Sequence, residues 1–130
     1  MSANTILGDA TLNAFVATAD GARARAFYEH VLGLRLVSED DFAIVFDGLG
    51  APLRIQKVEK LTPQPHTVLG WSVPSIDAAV TALEQRGVAF ERYAFLSQDQ
   101  HGVWSAPSGA KVAWFKDPDG NLLSLTQPPR

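Results

Sequence analysis

Apolar and polar positions along the chain change period in an order that occurs twice. Thr11–Thr18 (TLNAFVAT) mixes β-branched, aromatic and small residues, which predicts a strand at least half buried and ended by Asp20. Asp20-Gly21 leads into Ala22–Val31, where Ala24, Phe27, Tyr28 and Val31 recur at three- and four-residue steps and so share one face of a helix that Gly33 ends. Leu34–Val37, Phe42–Phe46 and Leu53–Val58 resume an extended pattern, interrupted by the acidic turn Glu39-Asp40-Asp41 and by Gly48–Pro52. The proline-spaced stretch Leu61–Pro65 reads as a linker. Beyond it the succession returns. His66–Val73 predicts a strand, Ser75 a helix cap, and Ile76, Ala79, Val80 and Leu83 an apolar helix face ended by Gly87. Val88–Tyr93, Val103–Ala106, Lys111–Phe115 and Leu122–Thr126 are extended, with Pro107-Ser108-Gly109 and Asp117-Pro118-Asp119-Gly120 as turns.

The repeat has a measurable offset. Asp20 and Ser75 stand 55 positions apart, and the helix-ending glycines Gly33 and Gly87 stand 54 apart. Gly50 and Gly120, before the last strand of each half, are 70 apart, so the second half carries about 15 extra residues around Phe95–Gly109. Two tandem βαβββ units, about 10–60 and about 65–128, therefore make one α+β domain over residues 1–130. Each unit leaves an apolar sheet face that pairing, within a chain or between chains, would bury. The inserted segment holds Ser97, Asp99, His101 and Trp104 and predicts a lid or a pocket wall.

Composition narrows the classes without naming a chemistry. A chain of 130 residues, 46% hydrophobic and 19% charged, fits a folded core. The net charge of -3 offers no positive field for phosphates or anionic lipid, so neither nucleic acid nor membrane is expected as a partner. Without cysteine there is no disulfide, thiolate metal site or cysteine nucleophile. Met1-Ser2-Ala3-Asn4 lacks a basic start and a long apolar run, which makes the cytoplasm the expected compartment. Gly48-Leu49-Gly50 leads into Pro52 and a strand, not the helix a dinucleotide fingerprint requires. No nucleophile elbow, phosphate loop or zinc-binding His-Glu-x-x-His occurs.

Two runs carry a family resemblance: Asn13–Asp20 continued by Ala26-Phe27-Tyr28-Glu29-His30-Val31-Leu32-Gly33-Leu34, and Trp114-Phe115-Lys116-Asp117-Pro118-Asp119-Gly120-Asn121-Leu122. Both resemble the vicinal-oxygen-chelate superfamily of glyoxalases, bleomycin-resistance proteins and extradiol dioxygenases. The resemblance implies that the two sheets curl around a central cavity. It also implies four inward positions which, in metal-dependent members, supply a His or Gln on the first strand and a Glu or similar ligand on the last strand of each unit. Counting from Asp20, Ser75, Gly50 and Gly120 assigns those positions to Asn13, Val68, Arg54 and Ser124. A valine cannot bind a metal, an arginine is a permanent cation, and a neutral serine is a poor ligand, so no metal and no other cofactor is expected. A two-residue shift would exchange Val68 for His66 and leave Arg54 and Ser124 in place.

Strand alternation extends the inward set to Phe15, Gln56, His66, Gly70, Leu122 and Thr126, and the resemblance adds Trp114, ten residues before Ser124, where dioxygenase-like relatives carry a cavity-facing aromatic. The candidate ligand-binding residues are Asn13, Phe15, Arg54, Gln56, Trp104, Trp114 and Ser124, and His66 and His101 are candidate acid–base groups. Plainer roles stand beside these: Arg54 as an edge charge, Trp114 as core or dimer packing, Trp71 as packing under a helix, His30 as a surface residue. Three functions follow. The first is binding of a small, planar or aromatic organic anion without a metal centre. The alternative is a glyoxalase-type lyase, isomerase or dioxygenase working through misplaced ligands or His-based acid–base chemistry, so enzymatic activity stays open. The third is an interaction module. A homodimer is expected in each case.

Overall fold

The computed structural model describes residues 6–130, and the opening Met1-Ser2-Ala3-Asn4 lies outside them. The first unit runs β1 (Ala14–Thr18), α1 (Gly21–Ala26), β2 (Leu36–Glu39), β3 (Ala43–Asp47) and β4 (Pro52–Lys57). The second runs β5 (Thr67–Ser72), α2 (Ile76–Gln85), β6 (Trp104–Ser105), β7 (Lys111–Lys116) and β8 (Leu122–Gln127). Each unit folds into a four-stranded sheet of the same order, β1-β4-β3-β2 and β5-β8-β7-β6, in which only the first and last strands pair in parallel. The tandem βαβββ expectation is met.

The caps named from sequence form. Asp20 accepts a hydrogen bond from the Arg23 amide at 3.2 Å, and Ser75 Oγ accepts one from the Ala78 amide at 3.2 Å. Gly33 and Gly87 end their helices with φ of 74° and 90°, a region that side chains with a Cβ resist. One difference is in α1, which continues from Phe27 to Val31 as a π-helical turn, the Leu32 amide donating to the Phe27 carbonyl. The adjacent rings of Phe27 and Tyr28 then both reach the core, edge to face at 5.3 Å. A second difference is Val88–Tyr93, which is no strand. Phe90 makes a single bridge to Phe115, after which the Tyr93 amide donates to the Gln98 side chain and the chain turns into the inserted loop. Thr11–Asn13 and His66 likewise fall outside the strands expected to include them, and Val103–Ala106 shortens to β6.

Both helices cover the same side. Val16, Ile44, Phe46, Leu53 and Ile55 from the first sheet meet Phe115, Leu123 and Leu125 from the second, around Tyr28, Ile76 and Val80. The sheets touch at β1 and β5. At one end of this seam Asn121 Nδ2 donates to the Ala17 carbonyl at 2.8 Å, and at the other the Trp71 indole donates to the Gly48 carbonyl at 3.0 Å. Because the end of β1 thus meets the start of β5, the two strands run antiparallel across the seam. Trp71 packs on the helix side, as its parity requires.

The Asp-Pro-Asp-Gly-Asn turn closes the seam. Asp119 accepts from Thr18 Oγ1 at 2.6 Å and from the Ala19 amide at 2.9 Å. Asp117, buried, accepts from Tyr28 OH at 2.7 Å and from the side-chain and backbone N–H groups of Asn121, both at 2.9 Å. Burial, and next the Asp117 charge, push the Tyr28 hydroxyl far above its usual range. Burial likewise lifts Asp117, opposed by its donors. Tyr28→Phe removes a donor from a buried carboxylate and is expected to lower unfolding free energy by about 1–3 kcal/mol, read from urea denaturation. An unchanged midpoint would mean that packing alone holds the seam.

Candidate functional site

The face opposite the helices carries most of the residues singled out from sequence. On β4, Arg54 stands in register between Phe15 of β1 and Val45 of β3, and Gln56 one step along stands between Ala17 and Ala43. On β8, Ser124 stands between Gly70 of β5 and Trp114 of β7. Since the neighbours of these residues, Ile55, Leu123 and Phe115, are fully buried under the helices, alternation turns Arg54, Ser124 and Trp114 to the other side. A row of positions on this face runs Val45, Arg54, Phe15 in the first sheet and, across the antiparallel seam, Gly70, Ser124, Trp114 in the second.

The row continues into an aromatic wall. Trp114 lies 6.1 Å from Trp104 and edge to face with Tyr93 at 5.5 Å, and Tyr93 lies 5.5 Å from Phe95. Tyr93 and Phe95 were not singled out from sequence. Their signal is the spacing Phe90, Tyr93, Phe95, which an extended reading of Val88–Tyr93 hides. The inserted loop is braced from within: the Gln98 side chain accepts from the Tyr93 amide at 2.8 Å and donates to the Glu91 and Gly102 carbonyls at 2.9 and 2.8 Å. This gives the segment the character of a wall. Along the outer edge of β6, Ser97, Asp99, Trp104 and Lys111 border a cavity of about 390 Å³.

Other candidates are elsewhere. Asn13 is exposed, one residue ahead of β1 on the Phe15 side, and His66 is exposed ahead of β5. His101 is not on this face: its Nδ1 lies 3.0 Å from Glu84 Oε1 of α2, because Asp99 accepts the His101 amide and turns the loop toward the helix. His30 is a surface residue beside Glu29, as its place at the helix end suggests. Val68 sits at a bulge between Thr67 and Leu69. The face is open in the single chain: Phe15 is 50% exposed, Val68 41% and Phe95 82%.

These donors do not fit a divalent ion. Arg54 brings a fixed positive charge and no lone pair, Val68 brings only methyl groups, and Ser124 brings a neutral hydroxyl, which leaves the Asn13 amide as the one useful oxygen. Among the described residues no three His, Asp or Glu side chains gather to hold a metal. Nor, among them, is any helix long and apolar enough to cross a membrane.

Two βαβββ sheets joined at their first strands, with an open face that combines a cation and a row of rings, define a protein of the glyoxalase-like fold class. The family profile of the Glyoxalase/Bleomycin resistance protein/Dioxygenase superfamily matches residues 10–125, and the chain belongs to that superfamily. It is similar in fold to a glyoxalase/bleomycin resistance protein/dioxygenase from Nocardioides, with a TM-score of 0.72 and 20% identity over 98% of this chain and 88% of that one. A lactoylglutathione lyase from Agrobacterium tumefaciens gives 0.70 at 16% identity over 91% and 92% of the two chains. An antibiotic binding protein from Streptomyces sp. CB03234 gives 0.67 at 22% over 91% and 94%. No curated protein matches the sequence significantly.

The Gly70–Ser124 pair makes a local prediction. A Cβ built on Gly70 would lie 2.5 Å from Ser124 Oγ, so the serine oxygen occupies the place of the missing side chain. Gly70→Ala is expected to destabilise by about 1–3 kcal/mol, and Gly70→Ala with Ser124→Ala to recover most of that loss in a thermal-melt double-mutant cycle. Simple additivity of the two changes would show that the backbone, not the hydroxyl, sets the limit.

Proposed function

We propose that this chain is a small-molecule-binding member of its superfamily, holding a planar, aromatic organic anion on the open face without a metal centre. The observation that carries the reading is Arg54: among the described residues it forms no salt bridge, although its charge is felt at Asp40, and it stands beside Phe15 on the face that also carries Trp114. An arginine on a partly covered sheet face favours a carboxylate or a comparable anionic group, and the rings supply stacking surface. Arg54 and Trp114 lie in different sheets, with β1, the seam, β5 and β8 between them, a span that suits a polycyclic guest better than a two- or three-carbon substrate. The likeness in fold to an antibiotic binding protein supports a binding role. Asn13, Gln56, Ser124 and Trp104 complete the proposed surface.

Pairing of two copies belongs to this reading. The outer strand β2 is an open edge, while β6 is bridged by Gln98 of the inserted loop, and a second copy would cover β2 or the open face. Light scattering of the purified protein would read a dimer mass; a monomer at high concentration removes this element.

Anthracene-2-carboxylate and its uncharged amide separate the charge from the rings. Titration calorimetry is expected to show the acid binding more tightly, with Arg54→Ala weakening the acid about tenfold and leaving the amide nearly unchanged, and Trp114→Ala weakening both. Prior dialysis against a chelator is expected to change nothing. Equal binding of acid and amide, or full affinity in Arg54→Ala, removes Arg54 from the site; a stoichiometric divalent ion held by side chains of this face overturns the metal-free reading.

A further inference from the structure

The seam has a second side. Under the helices, where α1 meets the end of α2 and the end of β7, a cavity of about 330 Å³ opens between the units. Its floor is apolar: Phe27 and Val31, four residues apart on the continuation of α1, face Val88, and all three are only half buried. Its rim is cationic, with Arg23 from the first unit and Arg86 and Lys116 from the second.

Charge accounting distinguishes this rim from the rest of the surface. Arg25, Lys57 and Arg35 are matched by Glu29, Glu39 and Asp47. Around the cavity, Lys116 has Glu91 at 3.5 Å, while Arg86 spends one N–H on the Val31 carbonyl at 2.8 Å, and Arg23 has no side-chain partner among the described residues. Asp117 also borders the space, but its oxygens already accept from Tyr28, Asn121 and the Asp119 amide. Those hydrogen bonds leave the Asp117 charge in place, so three cations and two carboxylates, Glu91 and Asp117, border the space. The guanidinium groups of Arg23 and Arg86 are the ones outside any salt bridge among the described residues, in a chain whose net charge is -3. A space of this size is at the small end of ligand cavities.

We propose that this cleft is a second binding site, independent of the open face, for a small organic anion with an apolar tail: a medium-chain or single-ring carboxylate. Its head group would lie between Arg23 and Arg86 and its tail on Phe27, Val31 and Val88. Such a ligand touches both units and therefore stabilises their seam by mass action.

Sodium octanoate, which has no ring for the aromatic wall, is the probe. In a ¹H–¹⁵N NMR titration its shifts are expected at the amides of Val31, Gly87, Val88 and Lys116 and not at Phe15, Arg54, Gly70 or Ser124. Arg23→Ala with Arg86→Ala is expected to weaken octanoate about tenfold or more. Arg23→Ala alone, an exposed change on a helix surface, should weaken it measurably with the melting temperature unchanged, and Arg54→Ala should leave it unaltered. Octyltrimethylammonium, the cationic counterpart, should not bind. The proposal falls if octanoate shifts nothing, if its shifts map to the open face, if the ammonium binds equally well, or if Arg23→Ala keeps full affinity. Loss of aromatic-anion binding in Arg54→Ala leaves these outcomes untouched, so the two sites fail separately.

Discussion

Everything on either face of this protein depends on how one edge of β1 is held against one edge of β5. No ladder of backbone hydrogen bonds joins them; the sheets are separate in pairing and continuous only in position. The turn between β7 and β8 supplies the fastening. Asp119 reaches the end of β1, Asn121 reaches the Ala17 carbonyl, and Asp117 takes the hydroxyl of a fully buried tyrosine from the first helix. Charge-assisted hydrogen bonds of this kind are about twice as strong as neutral ones, and Tyr28 and Asp117 lose more from separation than they gain from solvent. A turn composed for tight geometry, with Pro118 and Gly120 setting its backbone, is at once the bracket between two half-domains.

That bracket explains how a repeated architecture yields an unequal site. At matching places in the two units stand Phe15 and Gly70, Arg54 and Ser124, Val45 and Trp114. The first unit contributes the cation and a ring, and the second contributes space, a hydroxyl and a broad aromatic surface. Neither half presents both the Arg54 cation and the broad aromatic surface. The open face is thus a joint product, and the binding proposed for it differs from ion binding because three of its positions hold a guanidinium, a valine and a serine.

Much of this was legible in the sequence, and the reasons are local. Asp20, Ser75, Gly33 and Gly87 mark helix ends by side-chain and backbone chemistry that operates over four residues, so their spacing exposed the repeat directly. The resemblance, counted four on from Gly50 and Gly120, gave the inward parity of Arg54 and Ser124, and the burial of Ile55 and Leu123 agrees with it. What stayed hidden depends on contacts distant in sequence. The brace made by Gln98 required knowing that Glu91, Tyr93 and Gly102 converge, and without it Val88–Tyr93 looks like an ordinary strand. His101 was placed by Asp99 and Glu84 together, which no periodicity encodes. The convex cleft joins Arg23 to Arg86 and Lys116 across the whole chain, and its parts are unremarked surface residues until the units dock.

The bracing of the inserted loop has a kinetic side. Each polar position on the Gln98 amide is engaged, so the backbone that carries Tyr93 toward Trp114 is ordered before any guest arrives. The entropy of arranging that wall is lost during folding and not again at each encounter. For the flat guest proposed above, arrival would then require only shedding water from rings already in position, and its residence time would depend on how readily those rings let it slide away.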